Sequence, residues 1–175
     1  MTSVLKVDNI QNSSGTDAIS IDSSGVVTRP VIPAWRQQAT HADLTASGDY
    51  DIVWKGSVDA ESADNRRFLF GGCTLEDSNV TVKVPVTGLY QINVNARVDE
   101  IGSGYVWLQI RVNDSVVHDS STIEGTASTS YQGMNVHAIY HLVANDKVRI
   151  VVGTSADTSW ELDGSNTFFS GALIG

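Results

Sequence analysis

The sequence predicts an all-β protein, a sandwich or jelly roll preceded by a short extended N-terminal arm. Three observations predict it. Helix formers are scarce, with five Glu and four Lys in 175 residues, while β-branched Val, Ile and Thr recur throughout. Apolar and polar residues alternate with period two over several runs, the pattern of strands with one buried face. Turn signals built from Gly, Asn and Asp separate those runs at short intervals, which suits strand-to-strand connections rather than crossover helices. A chain of this length can bury a core without disulfides or a structural metal.

Residues 1–30 read as the arm. Val4, Val7 and Ile10 precede a polar run from Gln11 to Asp17; Ile19 and Ile21 follow, and Asp22-Ser23-Ser24-Gly25 before Val26 and Val27 predicts one small hairpin. So short a segment cannot build its own core. By composition it would pass for a floppy tail, yet its regularly spaced Val and Ile need something to bury them. A strand without a core gains one by pairing with copies of itself or with a partner's edge. Val4, Val7, Ile10, Ile19 and Ile21 are therefore the candidate docking residues. Arg29-Pro30 and Pro33 mark the boundary, because proline restricts itself and its predecessor and does not continue a central strand. The head is expected to span residues 31–175.

Within the head, Tyr50–Trp54, Val80–Val84, Tyr90–Val98 and Val106–Val112 alternate in polarity, and Met134–Leu142 and Lys147–Val152 extend the pattern. Gly71-Gly72, Thr87-Gly88, Gly102-Ser103-Gly104, Asn113-Asp114, Asn145-Asp146 and Asp163-Gly164 supply the turns. Phe168–Ile174 is apolar on both faces, as befits a strand inside a sheet or at a subunit interface. Trp54 and Trp107 lie in strong strands and are expected in the core.

Charge and cysteine usage exclude several functions. The formal net charge of −9 repels nucleic acid and anionic lipid. No run approaches the roughly 18 apolar residues of a membrane-inserted helix, and the N-terminus lacks the apolar stretch of a signal peptide. One cysteine, Cys73, precludes an intramolecular disulfide and fits assembly in a reducing cytoplasm.

Catalytic patterns are absent. His137 and His141 are four apart, metal-ligand spacing on a helix, but their neighbours alternate as a strand and set them about 13 Å apart on one face. They read as polar sheet positions rather than a shared metal site; copies of one histidine meeting on a threefold axis are the minor alternative. Cys73 follows Gly71-Gly72 with no base assignable and reads as a small buried hydrophobe. Ser103 is not in a Gly-x-Ser-x-Gly elbow, and no glycine stretch leads into Gly-Lys-Ser/Thr. The acids at Asp59, Glu61, Glu76, Asp77, Asp99, Glu100 and Asp157 lack EF-hand spacing and read as solvated loop groups. The sequence thus predicts neither an enzyme nor a bound cofactor or metal. Trp160 and Glu161, in a polar stretch, are the candidate receptor surface, unless Trp160 simply caps one end of the sandwich.

At Pro85-Val86-Thr87-Gly88-Leu89-Tyr90 the chain resembles the complement-type globular head, a member of the tumour-necrosis-factor-like jelly rolls, which carries a Pro-x-x-Gly-x-Tyr element entering a long central strand. Val106–Val117 around Asn113-Asp114 is similar to that family's strand, turn and strand. Leu142–Val151 resembles its Leu-x-x-Gly-Asp-x-Val hairpin, with Asn145 in place of glycine. Thr167–Ile174 resembles its terminal Thr-Phe-Ser-Gly-x-Leu strand, with one inserted residue at Phe168-Phe169. The resemblance implies a ten-stranded jelly roll that assembles as a homotrimer, with Tyr90, Trp107, Tyr140, Phe168 and Phe169 as core or interface aromatics. No collagen-like stalk precedes the head, which argues against a secreted complement-like protein. Ser3–Gly15 resembles the leader of small virion proteins of tailed bacteriophages. That resemblance implies a non-enzymatic capsid decoration or short fibre protein on the virion surface, assembled in the host cytoplasm, with capsid or tail proteins as partners. The alternative is a receptor-binding head that recognises a host surface glycan or protein.

Overall fold

The structure, a computed structural model, describes residues 9–11, 17–21, 23–28, 32–45, 47–56, 67–99, 104–119, 123–125, 131–155 and 159–175. The chain divides into two compact units, Met1–Ile32 and Pro33–Gly175.

In the first unit, β1 (Asn9–Gln11), β2 (Asp17–Ile21) and β3 (Val27–Thr28) form an antiparallel sheet in that order. Ile10 pairs with Ile19, and Ile21 with Val27. Gly25 takes a φ of 79° in the β2–β3 turn, a left-handed conformation that suits glycine. Ile19 and Ile21 are half-buried, whereas Ile10, Val26 and Val27 are exposed. Val4 and Val7 lie outside the described residues.

The second unit contains β4 (Ala34–Gln38), β5 (Ala42–Leu44), β6 (Gly48–Asp51), β7 (Phe68–Phe70), β8 (Thr74–Glu76), β9 (Thr81–Lys83) and β10 (Gly88–Asp99). There follow β11 (Gly104–Val112), β12 (Ser115–Asp119), β13 (Ile123–Gly125), β14 (Gln132–Leu142), β15 (Lys147–Thr154), β16 (Trp160–Leu162) and β17 (Phe168–Leu173). They make two seven-stranded antiparallel sheets. The first runs β5-β16-β10-β17-β4-β7, with β14 along the other side of β10; the second runs β12-β11-β15-β9-β8, with β13 against β11 and β6 against β15. The resemblance implies ten strands, whereas the described residues carry two sheets of seven, because pieces of only three or four residues such as β5, β6, β7 and β16 pair as separate strands. No helix occurs among the described residues, so none there is long and apolar enough to cross a membrane.

Alternation builds the core. Tyr90, Ile92, Val94, Ala96 and Val98 of β10 face Val106, Leu108, Ile110 and Val112 of β11 and Val148, Ile150 and Val152 of β15 in one buried cluster. Phe169 is its aromatic centre, with ring centroids 5.4 Å from Trp35 and 5.2 Å from Trp54. Gly171 makes this possible, since a Cβ there would run into the Trp35 indole.

The structure also explains the Pro85–Tyr90 element. A side chain on Gly88 would stand 2.6 Å from the carbonyl oxygen of Gly175, and the Tyr90 hydroxyl donates a 2.9 Å hydrogen bond to the Val86 carbonyl, closing the turn into β10. Burial pushes the Tyr90 phenol up to about 12, with the Cys73 thiol adding to the rise and the bond to Val86 opposing it. Asn145 stands where the family pattern has glycine because its φ is 77°, which asparagine tolerates better than most residues.

Of the expected core or interface aromatics, Tyr90 and Phe169 are fully buried. Trp107 is not a core residue: it is half-buried on the outward side of β11, lies across Gly153, and donates from Nε1 to Asp49 at 3.0 Å. Phe168 is half-buried on the outward side of the first sheet, with the Arg36 guanidinium 4.8 Å from its ring centroid. Tyr140 lies on β14 with 37% of its surface exposed.

Candidate functional site

The outward face of the first sheet, centred on β10 and β14, is graded along its length. At one end Leu89 stands opposite His141 on β14, and its carbonyl accepts a 2.8 Å hydrogen bond from the amide of Ile174. Next, Gln91 lies between Ile139 and Ala172. In the middle, Asn93 lies between His137 and Ser170, and Asn95 between Asn135 and Phe168. Toward the far end the Arg97 guanidinium stacks 3.3 Å from the ring centroid of Tyr131, and its Nε lies 3.4 Å from Asp163. Leu89, Ile139 and Ile174 expose 43%, 64% and 52% of their surfaces. Strand pairing on one side of β14 goes to β10, and no strand pairs with its other edge among the described residues. His137 and His141 alternate with apolar neighbours on this strand, both exposed and opposite different β10 residues, so each is a separate polar position.

Trp160 cannot serve as a receptor platform in this unit. It is 1% exposed and packs edge-on against Tyr50 at 5.7 Å, because its parity on β16 points inward with Leu162. Only Glu161, between them, faces outward.

A second polar concavity of about 510 Å³ lies at one end of the second sheet, lined by Asp51, Asp77, Thr81, Asn113, Asp114, Lys147 and Arg149 among others. Lys147 Nζ reaches Asp77 at 3.0 Å and Glu76 at 3.1 Å, and Arg149 reaches Asp51 at 3.2 Å and Asp114 at 3.3 Å. The hydrogen bond from Thr81, then that from Lys147, holds the Asp77 carboxyl below its ordinary range; the bonds from Lys83 and Lys147 do the same for Glu76. Asp77, Ser78 and Asn79 take successive φ values of 53°, 59° and 68°, and Asn113 and Asp114 take 48° and 69°. The rim thus carries local strain, of the kind that concentrates at ligand sites.

Cys73 is buried, and desolvation pushes its thiol up to about 11 despite an opposing backbone hydrogen bond at Ala34. The folded protein is therefore expected to leave a disulfide reagent unreacted at pH 8 and to consume one equivalent on denaturation; rapid colour release from the native protein would contradict the buried thiol. Ser103, Asp59, Glu61, Glu100 and Asp157 lie outside the described residues.

The apolar outward positions went unmarked in the sequence, although its alternation carried the signal: Leu89 and Ile139 occupy the polar parity of their strands.

The sequence matches no protein-family model and no curated protein. Solved structures are similar in fold. An Eiger TNF structure from S. frugiperda superposes with a TM-score of 0.58 at 16% identity over 84% of this chain and 94% of that one. Murine APRIL, in a crystal structure at pH 5.0, gives a TM-score of 0.58 at 13% identity over 82% of this chain and 99% of that one. At such identities the likeness concerns architecture alone, and by architecture the chain is an all-β, tumour-necrosis-factor-like jelly roll.

Proposed function

We propose that the protein is a non-enzymatic structural component of a tailed-phage virion, a homotrimer whose head is displayed on the particle and whose arm docks it to capsid or tail. The observation that carries self-association is the exposed apolar end of the first sheet, Leu89, Ile139 and Ile174, beside a middle stretch of Asn93, Asn95, Asn135, His137 and Ser170. Apolar groups gathered on a sheet face lose their water when another subunit packs against them, and closed symmetry allows identical patches to be covered in every copy. The tumour-necrosis-factor-like architecture supports a threefold arrangement. The resemblance of Ser3–Gly15 to phage virion leaders supports the particle as destination. The small sheet of β1, β2 and β3 supports strand pairing as the means of docking, through Ile10, Ile19 and Ile21 together with Val4 and Val7. The −9 charge per chain keeps displayed heads from adhering to one another.

Removal of residues 1–32 is expected to leave a folded trimer by native mass measurement that no longer joins particles. Normal incorporation of the truncated head would refute docking by the arm, and a monomeric mass would refute the trimer. The concavity around Asp51, Asn113, Lys147 and Arg149 favours a second reading, host glycan recognition, because its paired donors and acceptors suit sugar hydroxyls. In the same experiment, the purified head adsorbing to host cells and blocking infection favours that reading over decoration.

A further inference from the structure

Beyond Arg97, the outward face of the first sheet ends in a row of carboxylates fixed by register. Glu161 on β16 stands opposite Asp43 on β5 and, on its other side, opposite Asp99 on β10. Like charges directly opposite one another across strands are destabilising. On the Asp99 side the row meets Arg97, whose Nε lies 3.8 Å from Asp99 and 3.4 Å from Asp163, so one cation is shared by two acids. On the other side stands His41, with Nε2 3.3 Å from Asp43 Oδ1 and 3.1 Å from Glu161 Oε1.

These three ligand atoms all lie within 4.8 Å of one another. In a tetrahedral site with bonds of about 2.0–2.1 Å, ligand atoms stand about 3.3 Å apart, and the separations of 3.3 and 3.1 Å from His41 Nε2 lie close to that edge. The backbone carrying His41 is held independently of the charges. The amide and hydroxyl of Thr40 donate to the Val53 carbonyl at 2.8 and 3.0 Å, and Gly164 sits so close that a Cβ there would lie 2.5 Å from the Thr40 carbonyl carbon. The turn bearing Gly164 is fixed in its own right: the Asp163 carboxylate accepts from the Ser165 amide at 2.8 Å and from the Asn166 side chain at 2.7 Å. Asp43 and Glu161 belong to paired strands, so all three donors stand on ordered backbone.

We propose that His41, Asp43 and Glu161 bind a divalent cation of the zinc class, with its remaining coordination positions open to solvent. One imidazole nitrogen and two carboxylate oxygens suit such an ion better than calcium or magnesium, which prefer oxygen donors alone. The ion supplies the positive charge that the carboxylate row lacks.

Titrating the full chain with zinc chloride alone, followed by calorimetry at pH 7.5, tests this. The expected result is one ion per chain. Glu161→Gln and His41→Ala should each lose at least the roughly 10- to 100-fold in affinity that removal of an outer-shell partner already costs. His137→Ala combined with His141→Ala, exposed histidines on the same sheet, should change nothing. Unchanged affinity in a Glu161→Gln variant of normal melting temperature, loss of binding with the His137 and His141 changes instead, or no binding below millimolar zinc would each overturn the site.

Discussion

Phe169→Ala is expected to remove about 3–5 kcal/mol of head stability, the range for truncating a buried aromatic, and to lower Tm by roughly 6 to 20 °C. The residue is fully buried on β17, between Val94 of β10 and Gln37 of β4 in the pairing. Its ring lies edge-on to Trp35 and tilted against Trp54, so the change forfeits two aromatic contacts as well as buried area. The indoles cannot collapse into the space, since Trp54 is tied by its Nε1 to the Val80 carbonyl at 3.2 Å and Trp35 is wedged over Gly171. A typical domain has only about 5–15 kcal/mol in total, so the variant sits near the folding threshold. Urea denaturation of the two proteins measures the loss. Phe168→Ala is the internal control: its neighbour points outward beside Arg36 and should lose about 1 kcal/mol or less. Equal losses at both positions would mean that the inward parity of β17 is wrong.

Gly171→Ala adds a single methyl group and is expected to cost about 3 kcal/mol, at the upper end of the range for overpacking. A Cβ at this position collides with three ring atoms of Trp35. That ring has no exposed surface and is bounded by Tyr90 at 6.0 Å and Phe169 at 5.4 Å between centroids, so it cannot swing aside without displacing them. Combining Gly171→Ala with Trp35→Leu should be less damaging than the sum of the two single changes by more than about 1 kcal/mol, because the second removes what the first strikes. Strict additivity in denaturant midpoints would show that the two residues do not meet.

How much of this could be seen in the sequence depended on strand length. β10, β11, β14 and β15 are long enough for period two to be unmistakable, and Tyr90, Val106 and Ile150 fall inside as alternation requires. The same rule, applied strictly, also places Trp107: Val106, Leu108, Ile110 and Val112 take the inward parity, which leaves Trp107 with Gln109 and Arg111 outside. Bulk and aromaticity suggested core, but the pleat decides the face. Trp160 erred the other way, because β16 is three residues long and its polar surroundings hid an inward pair, Trp160 and Leu162. The His41, Asp43 and Glu161 cluster was illegible for a related reason. His41 and Asp43 share a face by spacing, but their meeting with Glu161 depends on β5 pairing with β16, and neither strand is long enough to display its period. The Asn145 substitution and the Pro85–Tyr90 element were legible as a resemblance, while their cause, a left-handed turn and a crowded Gly88, needed coordinates.

The position of β17 has a consequence for how the head is made. The final strand of the chain lies inside the first sheet, between β10 and the first strand of the head, β4. Until β17 inserts, β4 and the first half of β10 lack their shared neighbour, and the layer of Trp35 and Trp54 lacks Phe169. Closure therefore joins sequence ends across almost the whole head, a non-local step of the kind that makes all-β domains fold in milliseconds to seconds. During synthesis the other strands must wait as an unsealed sandwich, with aromatic surface and strand edges open to aggregation. A nascent head completes its first sheet only after Leu173 has emerged.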